Sequence, residues 1–188
     1  EEQWQFDTGN VIRSSPVVHD GTIFFGSVDG TIYAVSLAGE EQWIVDAEGI
    51  VASSATAIDE TVFIGDDTGR LYALDTASGE QQWVFNSRLP IRSSPTVASG
   101  SIYIGTGAAT SELGAIHSIR ASSGEEEWMF ETQAPIRASP TVSDGTLFVG
   151  SDTNQLHAIA REVRGTSNGA RASSKVLGHV VDRGIISS

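Results

Sequence analysis

A unit of about 40 residues repeated four times, strand-length apolar runs bounded by turn pairs, and no sustained helical period together predict an all-β chain folded as a four-bladed propeller of four-stranded antiparallel blades. The repeat is marked by its tryptophans: Trp4, Trp43, Trp83 and Trp128 stand 39, 40 and 45 residues apart. Each is followed by a short loop and a serine-rich strand, reading VIRSSPVV from Val11, IVASSATA from Ile50, IRSSPTVA from Ile91 and IRASPTVS from Ile136. A hairpin comes next, GTIFFGSVDGTIYAV from Gly21, ETVFIGDDTGRLYAL from Glu60, a longer GSIYIGTGAATSELGAIHSI from Gly100 and GTLFVGSDTNQLHAI from Gly145. Gly39-Glu40, Gly79-Glu80 and Gly124-Glu125 then lead to the next tryptophan. The extra length of the third unit falls in the hairpin tip, Thr106 to Gly114.

Within a unit, β-branched and aromatic residues run between Asp-Gly, Ser-Gly and Thr-Gly pairs, which supply the positive φ that tight hairpins require. A lone four-stranded sheet of this kind exposes apolar side chains on both faces, so it is stable only when neighbours stack on it. The expected blades are 11–46, 50–86, 91–131 and 136–160, the last supplying three strands of its own. The missing outer strand is expected from residues 2–7, so that Trp4 completes the fourth blade and hides both open edges. The rival arrangement is half of an eight-bladed propeller, completed by a second copy. A monomer is the first expectation and the dimer the rival. Residues 161–188 break the pattern. They hold five of the 11 basic residues and read as a divergent basic tail with one strand-like run, Val176 to Val181.

Composition narrows the function classes. Twenty-four acidic against 11 basic residues give a net charge of −13, and Lys175 is the sole lysine. That balance repels nucleic-acid phosphates and anionic lipid. With no cysteine, the chain has no disulfide, no cysteine zinc site and no thiol nucleophile. Apolar runs stay at strand length, so no transmembrane helix is expected. The acidic, lysine-poor composition resembles that of proteins from salt-loving organisms, where carboxylates hold a hydrated surface and salt screens their repulsion; the alternative is an ordinary acidic secreted protein that needs no salt to fold.

Ser15-Pro16, Gly26-Ser27-Val28-Asp29-Gly30, Tyr33-Ala34-Val35, Gly39-Glu40 and Trp43, repeated with variations in all four units, resemble the blade signature of the PQQ-like (pyrroloquinoline-quinone-like) repeat propellers. The resemblance covers residues 1–160. It implies that Trp4, Trp43, Trp83 and Trp128 are structural, docking the outer strand of one blade onto the next. It also implies an extracytoplasmic or cell-surface protein, with the cytoplasm of a halophile as the alternative. The family includes quinone-dependent dehydrogenases and non-catalytic assembly scaffolds, so fold alone does not choose between them. The dehydrogenases, as the resemblance has it, add a vicinal cysteine pair, a calcium site and a catalytic aspartate. This chain lacks cysteine and supplies half the usual circle of blades. The expected function is therefore a non-catalytic binding or assembly scaffold for a protein partner or a small anionic ligand, the alternative being a fragment of a PQQ-dependent oxidoreductase. No cofactor is expected, although PQQ itself is chemically compatible.

Most of the polar residues that could carry chemistry also have a structural role in the repeat. Asp29, Asp66, Asp67 and Asp152 lie in hairpin turns whose geometry favours Asp or Asn, and they lack the ligand count of a calcium loop, so no metal is expected. His117 and His157 occupy the repeat position of Tyr33 and Tyr72 and read as packed strand residues, while His19 and His179 have no equivalents. Ser14, Ser15, Ser53, Ser54, Ser93, Ser94 and Ser139 recur as strand residues, and no Gly-x-Ser-x-Gly elbow is present, so no catalytic residue is assigned. Arg13, Arg92 and Arg137 share one repeat position, where the second unit has Ala52. At the start of each blade's innermost strand they are expected to converge near one mouth of the channel and to bind a carboxylate or phosphate, unless each instead pairs with a carboxylate of a neighbouring blade.

The charge generates the first prediction. Thermal stability should rise steeply with salt into the molar range, beyond the point near 1 M where the Debye length has already shrunk to about 3 Å. A melting temperature that stays flat from low to molar salt removes the halophilic reading.

Overall fold

The computed structural model describes residues 1–110, 112–161 and 176–180. Among the described residues sixteen strands form four antiparallel sheets of four. The first sheet is β1 (Val17–His19), β2 (Thr22–Gly26), β3 (Thr31–Ser36) and β4 (Glu41–Asp46), in that order. The second is β5 (Thr56–Ile58), β6 (Thr61–Gly65), β7 (Arg70–Asp75) and β8 (Gln81–Asn86), and the third β9 (Thr96–Ala98), β10 (Ser101–Gly107), β11 (Gly114–Arg120) and β12 (Glu126–Thr132). The fourth is β13 (Thr141–Ser143), β14 (Thr146–Gly150), β15 (Leu156–Arg161) and β16 (Val176–Val180). The short first strands β1, β5, β9 and β13 lie side by side in succession, the arrangement of propeller blades around an axis.

Alternation within each strand gives every sheet two apolar faces. Phe24, Ile32 and Ala34 of the first sheet meet Val62, Ile64, Tyr72 and Leu74 of the second. Phe63, Leu71 and Ala73 of the second meet Ile102, Ile104 and Ile119 of the third. Ile116 of the third meets Leu147, Val149 and Ile159 of the fourth. A fully buried side chain of this size contributes about 1.5–3 kcal/mol, so each junction supplies far more than the hairpin turns can. Among the described residues no such cluster joins the fourth sheet to the first.

The three inner junctions share one packing device. A methyl group on Gly26 would collide with Val51, one on Gly65 with Ile91, and one on Gly105 with Ile136. Each sheet thus offers a glycine hole at the end of its second strand, and the segment leading into the next sheet inserts a branched side chain there. Val51, Ile91 and Ile136 are all 0% exposed.

The tryptophans act at the outer rim. The Trp43 indole N–H donates to the Thr76 carbonyl and that of Trp83 to the Ala121 carbonyl, both at 3.0 Å. Their rings lie against Gly79 and Gly124, at φ 73° and 72°, where any side chain would both strain the backbone and strike the indole. Trp128 packs with Tyr103, ring centroids 5.9 Å apart, and its counterpart position in the next sheet lies outside the described residues.

The expected closure through residues 2–7 is corrected by the structure. Those residues form no strand, and the outer edge of the fourth sheet is taken by β16, paired from His157↔Val180 to Arg161↔Val176. The reason lies in where the first segment is held. Trp4 donates to the Leu37 carbonyl at 3.0 Å and lies on Gly39, while Phe6 packs edge-on against Phe25 and Tyr33, at 6.1 and 5.7 Å. These contacts repeat those of Trp43 and Trp83 with their following sheets, so residues 4–6 cap the free face of the first sheet instead of extending the fourth. The strand-like run foreseen near Val176 is β16, and the rest of the 161–188 tail lies outside the described residues.

Replacing Trp43 by alanine should cost about 3–5 kcal/mol, as for other buried tryptophans. Urea unfolding is the measurement. A loss no larger than that of the exposed neighbour Gln42→Ala would show that the indole does not hold the sheets together.

Candidate functional site

The hairpin ends of the sheets gather most of the polar side chains singled out in the sequence. In the second sheet Asp66 is fully buried and accepts from the Thr68 and Arg70 amides, the Thr68 hydroxyl and the Tyr72 hydroxyl. Burial pushes the Tyr72 phenol up to about 12, so it remains a donor to the carboxylate. In the first sheet Tyr33 donates to Asp29 at 3.0 Å. Burial pushes the Asp29 carboxyl up, but hydrogen bonds from Thr31 and Tyr33 outweigh it and hold the pKa below the usual value. These carboxylates are therefore turn acceptors, and among the described residues no group of three or more His, Asp or Glu side chains could hold a metal ion.

In the third and fourth sheets histidine stands where tyrosine stood, and a hydroxyl replaces the carboxylate. His117 Nε2 lies 3.2 Å from Thr106 Oγ1, and its Nδ1 lies 2.7 Å from Glu126 Oε1. His157 Nε2 lies 3.1 Å from Ser151 Oγ. The Thr106–His117–Glu126 chain has the order of a hydrolytic triad, but Thr106 is fully buried and its hydroxyl also reaches the Ala115 carbonyl at 3.3 Å, so no substrate meets it.

The repeated serines have a defined task. Ser14, Ser53 and Ser93 each accept from the amide of Gly26, Gly65 or Gly105 and donate to the same residue's carbonyl, at 2.8–2.9 Å. The fourth sheet has Ala138 at this position and lacks the clasp.

The three arginines differ in what they meet. Arg92 grips Asp67 of the preceding sheet's hairpin with two bonds, Nε to Oδ1 at 3.0 Å and Nη2 to Oδ2 at 2.8 Å. Arg137 reaches Asp152 in the hairpin of its own sheet, Nε to Oδ2 at 2.8 Å. Each lead-in segment runs between two hairpins, the preceding one and its own, and the arginine takes whichever carries the acid. Val28 occupies that hairpin position in the first sheet, and among the described residues no group pairs with the exposed Arg13.

Two concavities flank the long third hairpin. One, about 370 Å³, lies at the junction of the second and third sheets and is lined by Leu89, Leu113, His117, Met129 and Glu131. The other, about 670 Å³, lies at the junction of the third and fourth and is lined by Glu112, Leu113, Gln133, Pro135 and Asp152. Leu113, 64% exposed, borders both. Sequence reasoning located the longer hairpin tip but did not identify it as a binding feature. The signal was the 45-residue spacing of the third unit.

Stacked four-stranded sheets with inner strands around an axis and rim tryptophans define a repeat propeller module. A family model described as outer membrane protein assembly factor BamB, of the PQQ-like repeat type, matches residues 28–110 and 105–167, and the chain belongs to that family. Among solved structures it is similar to BamB from Moraxella catarrhalis, at 22% identity and a TM-score of 0.71 over 83% of this chain and 48% of that one. It is also similar to the quinohemoprotein alcohol dehydrogenase from Comamonas testosteroni, at 20% identity and a TM-score of 0.69 over 80% of this chain and 33% of that one. The computationally designed Ika4 protein matches at 15% identity and a TM-score of 0.73, over 84% of this chain and 96% of Ika4. The chain thus spans less than half the length of the two natural structures. No curated protein matches it in sequence.

The buried histidines make stability depend on pH. Burial lowers the pKa of His117, against an opposing pull from Glu126, and lowers that of His157. The folded state then resists protonation while the unfolded histidines bind protons near pH 6.5, so the unfolded state carries more protons as pH falls. Stability should be fully present above about pH 7 and decline through about pH 6.5 towards pH 5. Urea midpoints across that window should lose much of this slope in a His117→Gln/His157→Gln variant. An unchanged slope would assign the effect to the carboxylates.

Proposed function

We propose that this chain is a non-catalytic binding module that presents the third hairpin and its two flanking concavities to an extended segment of a protein partner. The observation that carries this reading is Leu113, the most exposed large apolar side chain among the described residues, at the rim of both concavities, with the half-exposed Met129 in the wall. Glu112 and Glu131 beside them favour a segment that is apolar with neutral or basic flanks. The family description, an outer membrane assembly factor, supports a protein ligand and an extracytoplasmic location. No described helix is long and apolar enough to cross a membrane. A small anion is a poorer fit to the arginine position, because it would have to displace Asp67 from Arg92 and Asp152 from Arg137. The quinone-dependent reading rests on fold similarity alone.

The test is fluorescence anisotropy with labelled extended peptides taken from outer-membrane β-barrel strands. Binding is expected, weakened at least about tenfold, or 1.4 kcal/mol, by Leu113→Asp or Met129→Asp in variants whose unfolding midpoint is unchanged. Absorbance titration with PQQ, with and without calcium, should show no change. Peptide binding indifferent to both substitutions, or a saturable PQQ signal, would overturn the proposal.

A further inference from the structure

We propose that two copies of this chain associate head to tail, the free face of the fourth sheet of one receiving the first sheet of the other. Three features at one end of the array are the complements of three at the other, and each pair already exists as a formed contact between interior sheets.

The first pair is the knob and its hole. Val51, Ile91 and Ile136 fill the glycine holes at Gly26, Gly65 and Gly105. At Gly150, in the same position of the fourth sheet, an added methyl would meet nothing closer than Ala138 Cβ at 3.8 Å. Ile12, the corresponding knob of the first sheet, is 42% exposed, against 0% for the other three. Among the described residues nothing fills the socket at one end, and the plug of matching shape at the other end is exposed. The surrounding sheet face agrees. Leu71 is 0% exposed where it faces the third sheet, whereas its counterpart Leu156 is 58% exposed, with Phe148 and Ala158 beside it partly exposed.

The second pair is ionic. Arg92 reaches back to Asp67, two residues beyond the glycine hole it sits above. Arg13 stands in the same relation to Ile12 and has no described partner, while Asp152 stands two residues beyond Gly150 and engages Arg137 through Oδ2 alone. The third pair is a hydrogen bond. Thr56 Oγ1 donates to the Pro95 carbonyl at 2.5 Å and Thr96 Oγ1 to the Pro140 carbonyl at 2.6 Å, each linking one sheet to the next. Thr141 continues the series as an exposed residue, and Pro16 supplies the carbonyl at the matching position of the first sheet.

A contact between unlike surfaces is heterologous, and it closes when the rotation per copy allows. Two copies close with two identical junctions. Docking also places residues 2–7 of one copy, already seated on their own first sheet, at the outer edge of the other's fourth sheet. β16 holds that edge in the single chain, so association exchanges β16 for the segment containing Trp4.

The absence of cysteine makes the geometry directly testable. Native mass spectrometry and light scattering of the full chain should give a dimer. Ile12→Asp and Gly150→Val should each be monomeric with an unchanged far-ultraviolet spectrum. Mixing these two variants should restore a one-to-one complex, since the intact socket of the first meets the intact plug of the second. An Arg13→Cys/Asp152→Cys double variant should oxidise to a covalent dimer, whereas either single variant alone should not. A wild-type monomer up to about 100 µM, where a contact of about 5.5 kcal/mol would be half formed, overturns the proposal. So does a dimer that ignores both Ile12→Asp and Gly150→Val, which would place the contact on another surface, such as the third hairpin.

Discussion

The distance of approach between successive sheets, set by a glycine on one side and a branched side chain on the other, is the constraint on which the rest of the molecule depends. Sheets packed face to face stand about 10 Å apart when ordinary side chains interdigitate. At Gly26, Gly65 and Gly105 the missing Cβ lets the neighbouring backbone come closer on one side of the sheet. The closer side becomes the inner side, and the wider outer side is left to be filled by larger groups. Trp43 and Trp83 fill it, and a second glycine at the rim, Gly79 or Gly124, gives the indole a flat surface to rest on. Small inside and large outside is a wedge, and a row of wedges curves.

The serine clasp belongs to the same device. Its hydroxyl bonds both backbone groups of the glycine in the sheet that its own segment leads into, so a segment whose knob is buried in the preceding sheet is tied by the clasp to the following one. The run Ile-Arg-Ser-Ser is therefore one working unit: plug, electrostatic latch and backbone clasp on successive residues. The alternation of the chain sends the first and third toward the protein and the second toward the hairpins.

Much of this was legible because a repeat shows each role several times. The tryptophan spacing, the Gly-Glu pairs and the hairpin turns placed the strands, and the identity of the serines across units marked them as structural. Their bonding was not legible, since Ser53 meets Gly65 across a turn of backbone that no local pattern specifies. Residues 2–7 read as the missing strand of the fourth sheet because Trp4-Gln-Phe6 carries the outer-strand pattern. That pattern states which sheet face the segment covers, and it covers the first sheet's. It does not state which edge it extends, and an edge accepts any extended backbone, including Val176–Val180, which has neither tryptophan nor Gly-Glu. The arginine position was visible in sequence, but its partners depend on which of two flanking hairpins bears an acid, and that needs the register. The exchange of tyrosine for histidine was visible too, while its companion change from hairpin carboxylate to Thr106 and Ser151 emerges only once the strands are paired.

Ala138 gives the array a direction. A stack in which each sheet touches only its neighbours melts from its weakest end, because nearest-neighbour terms add along it. The first three sheets each hold their lead-in segment with two buried hydrogen bonds, a net contribution of about 0.5–1.5 kcal/mol apiece, and the fourth holds its own with none of them. The lead-in of the fourth sheet is therefore held by the buried Ile136 plug and the Arg137–Asp152 pair without the clasp, and among the four sheets the fourth is the one expected to open first. Opening at that joint leaves the first three sheets and their clasps in place.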